Sequence, residues 1–313
     1  MGQRAKVGRS LFWRVPGADE APVVPPGPLG QVKSEILFSL DVLRRAWLKV
    51  RAVGGGPGVD GMTIERFEAN LEANLAALQA DLLGRRYQPQ PVKRLLAPKP
   101  GGGLRPLALW ALRDKVAQRV IYDCIEPYFE RHFLECSFGF RPGLGVADAV
   151  KAVVAHRSAN RRWLADVDIK DCFDSLDRRL VMRLVGQQVK DKFILNLIGL
   201  WLNARIFNEL NRGAAKAGAT QGAILSPLLA NIYLHQVDLQ LIGQRHHLIR
   251  YADDLLICCQ YKQEAERALR DTAAALKQVK LELNPHKSRV VHFDQGFKFL
   301  GVFFLRNEYF ELK

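Results

Sequence analysis

The sequence lacks the patterns that mark several common protein classes. No apolar run approaches the roughly 18 to 20 residues of a membrane-spanning helix, and the first residues do not resemble a secretory signal peptide. The five cysteines are odd in number and contain no C-x-x-C pair, and the seven histidines form no H-x-x-x-H pair and no Cys/His cluster. These absences argue against a membrane protein, a disulfide-rich secreted protein and a zinc site. Reduced thiols in the cytoplasm are the expectation.

Acidic residues are scarce relative to basic ones. Lys and Arg number 46 against 32 Asp and Glu in 313 residues, which gives a net charge of +14. The hydrophobic fraction of 48% is enough to bury the core of one large domain or two ordinary ones. The cationic excess indicates a polyanionic partner such as nucleic acid, although charge carries no information about fold.

Prolines are concentrated near the N-terminus, where residues 1–30 combine them with several Arg and Lys. Such a segment builds neither helix nor central strand, so we expect a basic, extended arm or linker. The remaining periodicities predict an α+β fold, in which an antiparallel sheet is backed on one face by helices. The predicted helices start at Ser34, near Leu71 and near Asp177, or cover 114–129, 190–204, 224–243 and 263–279. The predicted strands are a hairpin at 92–107, the segment 163–169, a pair around the Ala252-Asp253 turn, and the segments 289–293, 298–304 and 308–312.

Two acidic segments carry the clearest chemical signal. Asp168 ends an alternating strand, and Asp253 and Asp254 lie in a turn between two apolar strands. Adjacent carboxylates in apolar surroundings are unfavourable unless a cation neutralises them. If both segments meet at one sheet edge, they could hold two Mg²⁺ ions about 3.5–4 Å apart, as two-metal phosphoryl transfer requires. The alternative is an ordinary turn, because Asp favours turns in any case.

Two other segments could contact a nucleotide. Lys99 and Arg105 flank three glycines at a hairpin tip, where backbone and guanidinium could approach a triphosphate. A solvated basic hairpin is the alternative. Gln221 and Gly222 lie in a polar loop that could touch a nucleotide or base pair, although Ser226-Pro227 after it could mark only a helix start.

Several ordered motifs together resemble the reverse transcriptases of the group II intron-like lineage. They occupy residues 58–63, 98–107, 137–142, 168–174, 221–231, 251–254, 283–288 and 299–301. The resemblance implies a right-hand polymerase, with mainly fingers at 31–160 and mainly palm at 161–313. It places primer-grip strands at the C-terminal end of the palm.

The resemblance also implies roles for single residues. Asp168, Asp253 and Asp254 match the catalytic metal ligands, and the backbone carbonyl of Ile169 completes the set. The other implied roles are triphosphate contacts by Lys99 and Arg105, exclusion of a 2′-hydroxyl by Phe173, nucleotide and template contacts by Gln221 and Gly222, a position near the departing phosphates for Lys287, and a primer grip at Phe299, Leu300 and Gly301.

The implied activity is RNA-directed DNA polymerisation, in which a DNA or RNA primer is extended with dNTPs on an RNA template. Two Mg²⁺ ions are the implied cofactors, with Mn²⁺ as a substitute. Few residues follow Gly301, so we expect the thumb to be absent, minimal or supplied by a partner, and a maturase or homing role is disfavoured.

Short enzymes of this kind resemble those of CRISPR adaptation, which copy RNA for spacer capture, and CRISPR adaptation proteins are then expected partners. The alternatives are a free-standing defence or domesticated enzyme, a polymerase that uses ribonucleotides, and a catalytically silent nucleic-acid-binding scaffold of a defence complex.

Overall fold

The computed structural model describes residues 27–98, 104–207 and 222–312, and only the backbone of residues 98 and 104–106. Lys99, Gln221 and most of the predicted N-terminal arm therefore lie outside the described residues. Leu29, at the end of that arm, is buried and exchanges backbone hydrogen bonds with Gln188 and Lys190 (2.6 and 2.7 Å).

Helices and strands alternate along the described parts of the chain. The helices are α1 Ser34–Leu37, α2 Leu40–Val53, α3 Ile64–Ala69, α4 Leu71–Leu83, α5 Leu112–Glu130, α6 Val146–Ser158, α7 Cys172–Ser175, α8 Arg178–Gln188, α9 Lys192–Leu202, α10 Ser226–Gly243 and α11 Lys262–Gln278. The strands are β1 Val92–Pro98, β2 Leu104–Leu109, β3 Trp163–Asp168, β4 Ile206–Phe207, β5 His247–Tyr251, β6 Asp254–Cys259, β7 Arg289–His292, β8 Phe297–Phe299, β9 Val302–Leu305 and β10 Glu308–Glu311. Within these ranges no helix is both long and apolar enough to cross a membrane.

The strands form three sheets, with orders β2-β1-β4, β5-β6-β3-β7 and β10-β9-β8. The four-stranded sheet is antiparallel throughout, and its register places Leu164 opposite Cys258 and Asp168 opposite Asp254. Helices α6 and α11 pack against this sheet, which we call the central sheet.

Side-chain alternation explains how both faces are covered. Leu164 and Leu256 lie in one apolar cluster with Val150 of α6. Val167 lies in the larger core with Ala268 of α11. Successive residues of a strand point to opposite faces, so α6 and α11 cover opposite sides of the sheet. The sequence predicted helices on one face only, and the structure corrects this expectation.

The C-terminal sheet is joined to the central sheet by aromatic packing. Phe297 and Phe304 stack with ring centroids 4.9 Å apart, and Phe293 meets Phe297 edge-on at 5.1 Å. All three rings are fully buried, and each such burial contributes about 1.5–3 kcal/mol. The short strands β8–β10 therefore belong to the same folded body as the acidic sheet edge.

The structure confirms most of the predicted elements. Asp177 caps α8, because its Oδ1 accepts from the backbone N–H of Leu180 at 2.8 Å. The predicted strand at 298–304 is instead a hairpin, since Leu300 and Gly301 adopt positive φ values of 52° and 77° between β8 and β9. The sequence interpretation missed α6, although Val146, Ala149, Val150 and Val153 follow the helical period.

Candidate active site

Three carboxylates lie at one edge of the central sheet. Asp168 is the last residue of β3 and pairs directly with Asp254, the first residue of β6. Residues directly opposite in an antiparallel pair share a face and have Cβ atoms about 4.5–5.5 Å apart. Tyr251 also pairs with Asp254, so Ala252 and Asp253 form a two-residue hairpin turn. We call this segment the Ala252-Asp253 turn.

Ala252 adopts a left-handed φ of 56° at the first position of this turn. The turn types that two-residue hairpins favour have a positive φ at this position. The sequence prediction that the acidic pair lies at a hairpin tip is confirmed by this geometry, and Asp253 is consequently held beside Asp254 and the end of β3.

Burial and the neighbouring charges both raise the pKa values of Asp253 and Asp254. Burial raises the pKa of Asp254 from 3.8 to about 7, and the charges of Asp253, Asp168 and Asp166 raise it as well. Burial, followed by the charge of Asp168, also raises the pKa of Asp253. Asp254 keeps an exposed surface, so the crowded carboxylates remain accessible from solution.

Lys287 is the nearby cation that offsets part of this repulsion. Its Nζ lies 3.1 Å from Oδ2 of Asp168, in a pair whose side chains are 65% and 33% exposed. The loop that carries it is fixed to β3, because Asn284 N donates to Asp168 O at 2.8 Å and Asp168 N donates to Ser288 Oγ at 3.1 Å. An exposed pair of this kind contributes little to stability, so the ammonium can exchange Asp168 for another anion.

The chemistry of these donors suits a hard divalent cation. Carboxylate oxygens are the ligands that Mg²⁺ and Mn²⁺ prefer, and the repulsion among Asp168, Asp253 and Asp254 is what such a cation relieves. In the described ranges, no three or more His, Cys, Asp or Glu side chains are grouped so that they could hold a metal ion. Ile169, whose carbonyl the family resemblance adds to the set, is buried and forms a β-bridge with Leu283 just beyond β3.

Phe173 lies on α7, which follows the acidic strand after a left-handed residue, Asp171, with φ 43°. It is partly buried against the larger core. Burial, then the charge of Asp253, raises the pKa of the neighbouring Cys172. Phe173 therefore lies on the short helix that follows the acidic strand, and its contact with a sugar stays a prediction.

Gly222 packs against the hairpin that carries Arg105. Its φ is 118°, and a Cβ there would clash with the carbonyl oxygen of Ala108 in β2. Ile224 N donates to the buried Oε1 of Gln118 at 2.9 Å. These contacts explain on structural grounds why a glycine occupies position 222. Its contact with a nucleotide stays a prediction. The backbone of Arg105 pairs with Ala97 in β1.

The predicted primer grip lies in the C-terminal sheet. Phe299 is buried, and Leu300 and Gly301 form the turn between β8 and β9. The carbonyl of Gly301 accepts from the N–H of Leu312 at 2.8 Å. The described contacts do not join these residues to the three acids, so their role stays a prediction.

Sequence reasoning missed a buried polar network behind the acids. Arg250 is fully buried and donates to both carboxylate oxygens of Asp238, at 2.8 and 2.7 Å. It also donates to Asn231 Oδ1 at 2.8 Å and to Ala252 O at 3.1 Å. The signal was an Arg inside the apolar stretch before Asp253, because a buried charge requires a partner.

The segment at 136–141 lies along β5. Phe138 N donates to Arg250 O at 2.8 Å, and Arg250 N donates to Cys136 O at 2.7 Å. A Cβ on Gly139 would lie 2.5 Å from Ala252 N, so only glycine allows this approach. The motif at 137–142 therefore supports the Ala252-Asp253 turn from behind.

Comparison with known proteins identifies one family. The family model for reverse transcriptase (RNA-dependent DNA polymerase) matches residues 97–304. The chain is 30% identical over 285 residues to protein YkfC of Escherichia coli K12, covering 78% of this chain and 74% of that protein. It is 33% identical over 184 residues to the group II intron-encoded protein LtrA of Lactococcus lactis, covering 58% of this chain but only 31% of LtrA.

One solved structure shares the fold at low sequence identity, and a second aligns more weakly. Telomerase from Candida albicans, in a complex with a fragment of telomeric RNA, aligns with a TM-score of 0.55 and 13% identity, over 78% of this chain and 50% of that one. A partial Cas6-RT-Cas1–Cas2 complex aligns with a TM-score of 0.47 and 22% identity, over 80% and 41% of the two chains. The chain thus belongs to the reverse transcriptase (RNA-dependent DNA polymerase) family, and its matches include group II intron-encoded proteins.

Proposed function

We propose that this protein is an RNA-directed DNA polymerase that extends a DNA or RNA primer with dNTPs by two-metal nucleotidyl transfer. The observation that carries the proposal is the register of Asp168 opposite Asp254, with Asp253 in the adjoining turn. Burial, together with the charges of the neighbouring carboxylates, raises the pKa of Asp254 to about 7. A crowded, accessible acidic edge is unfavourable for the fold alone and useful for divalent cations.

Asp168, Asp253 and Asp254 would hold the two ions, with the Ile169 carbonyl as a further ligand. When bound, Mg²⁺ supplies a lowered pKa for the attacking primer hydroxyl and charge neutralisation for the leaving pyrophosphate. Lys287 donates to Asp168 at 3.1 Å, and its ammonium would lie near the departing phosphates.

The remaining roles concern the incoming nucleotide. Lys99 and Arg105 would contact its triphosphate, and Gln221 and Gly222 its base or the template. Phe173 would exclude a 2′-hydroxyl by its bulk, and 299–301 would hold the primer.

Primer extension tests the proposal. The wild-type protein should extend a labelled primer on an RNA template in Mg²⁺, and an Asp253→Asn, Asp254→Asn double variant should lose about 1,000-fold or more, because removing metal ligands costs several kcal/mol of transition-state stabilisation. Asp271→Asn is the matched control, since Asp271 pairs with His246 and Arg267 away from the acids.

Equal extension by wild type and the double variant would contradict the proposal. Nucleic-acid binding without extension, under every template and primer pairing, would favour the silent scaffold. The net charge of +14 fits both readings, so binding alone does not separate them.

The biological setting is a finer question. Spacer acquisition from RNA, with CRISPR adaptation proteins as partners, is one setting for this activity, and a free-standing defence or domesticated enzyme is the other. Integration of RNA-derived spacers, assayed with and without co-expressed CRISPR adaptation proteins, distinguishes them. Integration that does not depend on Asp253 and Asp254 would remove the CRISPR role.

A further inference from the structure

Arg250 makes an unusual set of contacts for a strand residue. Its side chain has no exposed surface, and neither has its ion-pair partner Asp238. The guanidinium donates twice to Asp238, once to Asn231 and once to the carbonyl of Ala252. The first three bonds satisfy a buried charge, whereas the fourth reaches the backbone of the turn that carries the acids.

The Ala252-Asp253 turn is held on two sides by the same network. Ala252 is a non-glycine residue with φ 56°, a conformation that persists only where the surroundings enforce it. Arg250 bonds its carbonyl, while Gly139 packs against its amide nitrogen. Asn231 joins the two supports, because it accepts from Arg250 and donates to Gly139 O at 2.8 Å.

We propose that Arg250, fixed by Asp238 and Asn231, is a positioning residue that sets the Ala252-Asp253 turn so that Asp253 and Asp254 face Asp168. This inference rests on the proposed function, which gives the three acids their task. Arg250 acts through the turn and needs no contact with nucleotide or metal. Outer-shell partners of this kind typically change metal affinity or activity by about 10–100-fold.

The decisive variant removes both buried charges together. Taking one partner from a buried ion pair leaves an unpaired charge, whereas replacing both with apolar residues of similar volume often leaves stability unchanged. The double variant Arg250→Met, Asp238→Leu should therefore fold but lack the bond to Ala252 O. A purely structural role predicts wild-type behaviour for each folded molecule.

Three measurements separate the two roles. Affinity for Mn²⁺ alone, followed by calorimetry, should fall by about 10–100-fold in the double variant. Amide hydrogen exchange at 252–255 should accelerate while the global unfolding midpoint stays near that of wild type. The kcat for primer extension should fall by a similar factor as the Mn²⁺ affinity, with KM for dNTP little changed, since the nucleotide contacts are untouched.

Asp271→Asn is the control, because it disturbs a hydrogen bond with His246, which directly precedes β5 at the end away from the turn. It should leave Mn²⁺ affinity and kcat unchanged. A folded double variant with wild-type Mn²⁺ affinity, kcat and turn exchange would overturn the inference.

Arg250→Lys is the second variant if the double variant fails to fold. It keeps the charge beside Asp238, but a single ammonium cannot reproduce the fork that meets Asp238, Asn231 and Ala252 together. The same losses are expected, and a folded Arg250→Lys protein with wild-type Mn²⁺ affinity would overturn the inference. Failure of both variants to fold would assign the network to folding alone and also overturn it.

Failure of the inference is distinguishable from failure of the proposed function. If the wild-type protein extends no primer, the function fails, while Mn²⁺ affinity and turn exchange still report on positioning. If wild type extends primers and the folded variants match it, the function stands and the positioning role fails.

Discussion

Asp254→Asn is expected to stabilise the folded protein at pH 8 when divalent cations are chelated. Burial raises the pKa of Asp254 to about 7 from 3.8, with three neighbouring carboxylates adding to the effect. Asn has nearly the same shape and cannot ionise. The substitution therefore removes a negative charge that is unfavourable in the folded state but well solvated in the unfolded state.

The sign follows from proton binding. Because the pKa is higher in the folded state, folding retains a proton that the unfolded chain loses above about pH 4. Stability is then greatest at low pH and declines as the pH rises through about 7. A pKa difference of about three corresponds to about 4 kcal/mol, but Asp254 keeps an exposed surface, so solvent screening reduces the expected gain at pH 8 to about 1–2 kcal/mol.

Urea unfolding in EDTA at pH 5, 6, 7 and 8 measures this effect. The advantage of Asp254→Asn over wild type should grow across the series. Asp294→Asn is the control of opposite sign, because the hydrogen bond from Arg162 lowers the pKa of Asp294. The ionised Asp294 stabilises the folded state above the usual pKa of Asp, and this stabilisation is lost as the pH falls. Asp294→Asn should therefore be less stable than wild type at pH 8. The reasoning is refuted if Asp254→Asn lowers the free energy of unfolding at pH 8, or if its effect is the same at pH 5 and pH 8.

Three other outcomes are expected. Phe173→Ala should raise ribonucleotide incorporation relative to deoxynucleotide in primer extension, and an unchanged ratio would contradict the steric role. Gly222→Ala should lower the free energy of unfolding by urea by about 1–3 kcal/mol, because Gly222 has a φ of 118° and an added Cβ would clash with Ala108 O. Gly199 lies in open space on α9, so the control Gly199→Ala should raise it by about 0.5–1 kcal/mol. If six or more cationic side chains contact phosphates, RNA affinity should fall by about 10³-fold or more between 50 and 200 mM salt, and a flat response would exclude phosphate binding.

The acidic edge was predictable because strand alternation and turn preference depend on residues close together in the sequence. Strand alternation gave Asp168 its place at the end of β3, and a tight turn was the natural reading of Ala252-Asp253 between two apolar runs. The two acidic segments lie together because antiparallel pairing places the end of β3 beside the hairpin tip before β6. The helix start at Asp177 followed from capping in the same way.

The missed features depend on contacts between distant segments. Arg250 was visible as a charge in an apolar stretch, but no periodicity shows that its partners are Asp238 and Asn231 of α10. Likewise, α6 was missed because its apolar stripe is buried by contacts with distant residues such as Leu164 and Leu256, which the sequence does not reveal. Partner choice is a tertiary property, and one sequence constrains it weakly.

The two-residue connection between β5 and β6 also limits how this edge can change. Adding or removing one residue there would shift β6 by one position against β3 and turn every side chain of β6 to the opposite face. Asp254 would then point into the core now filled by Leu255, and Leu255 would take its place in the solvent. We therefore expect this connection to tolerate exchange of side chains but never a change of length.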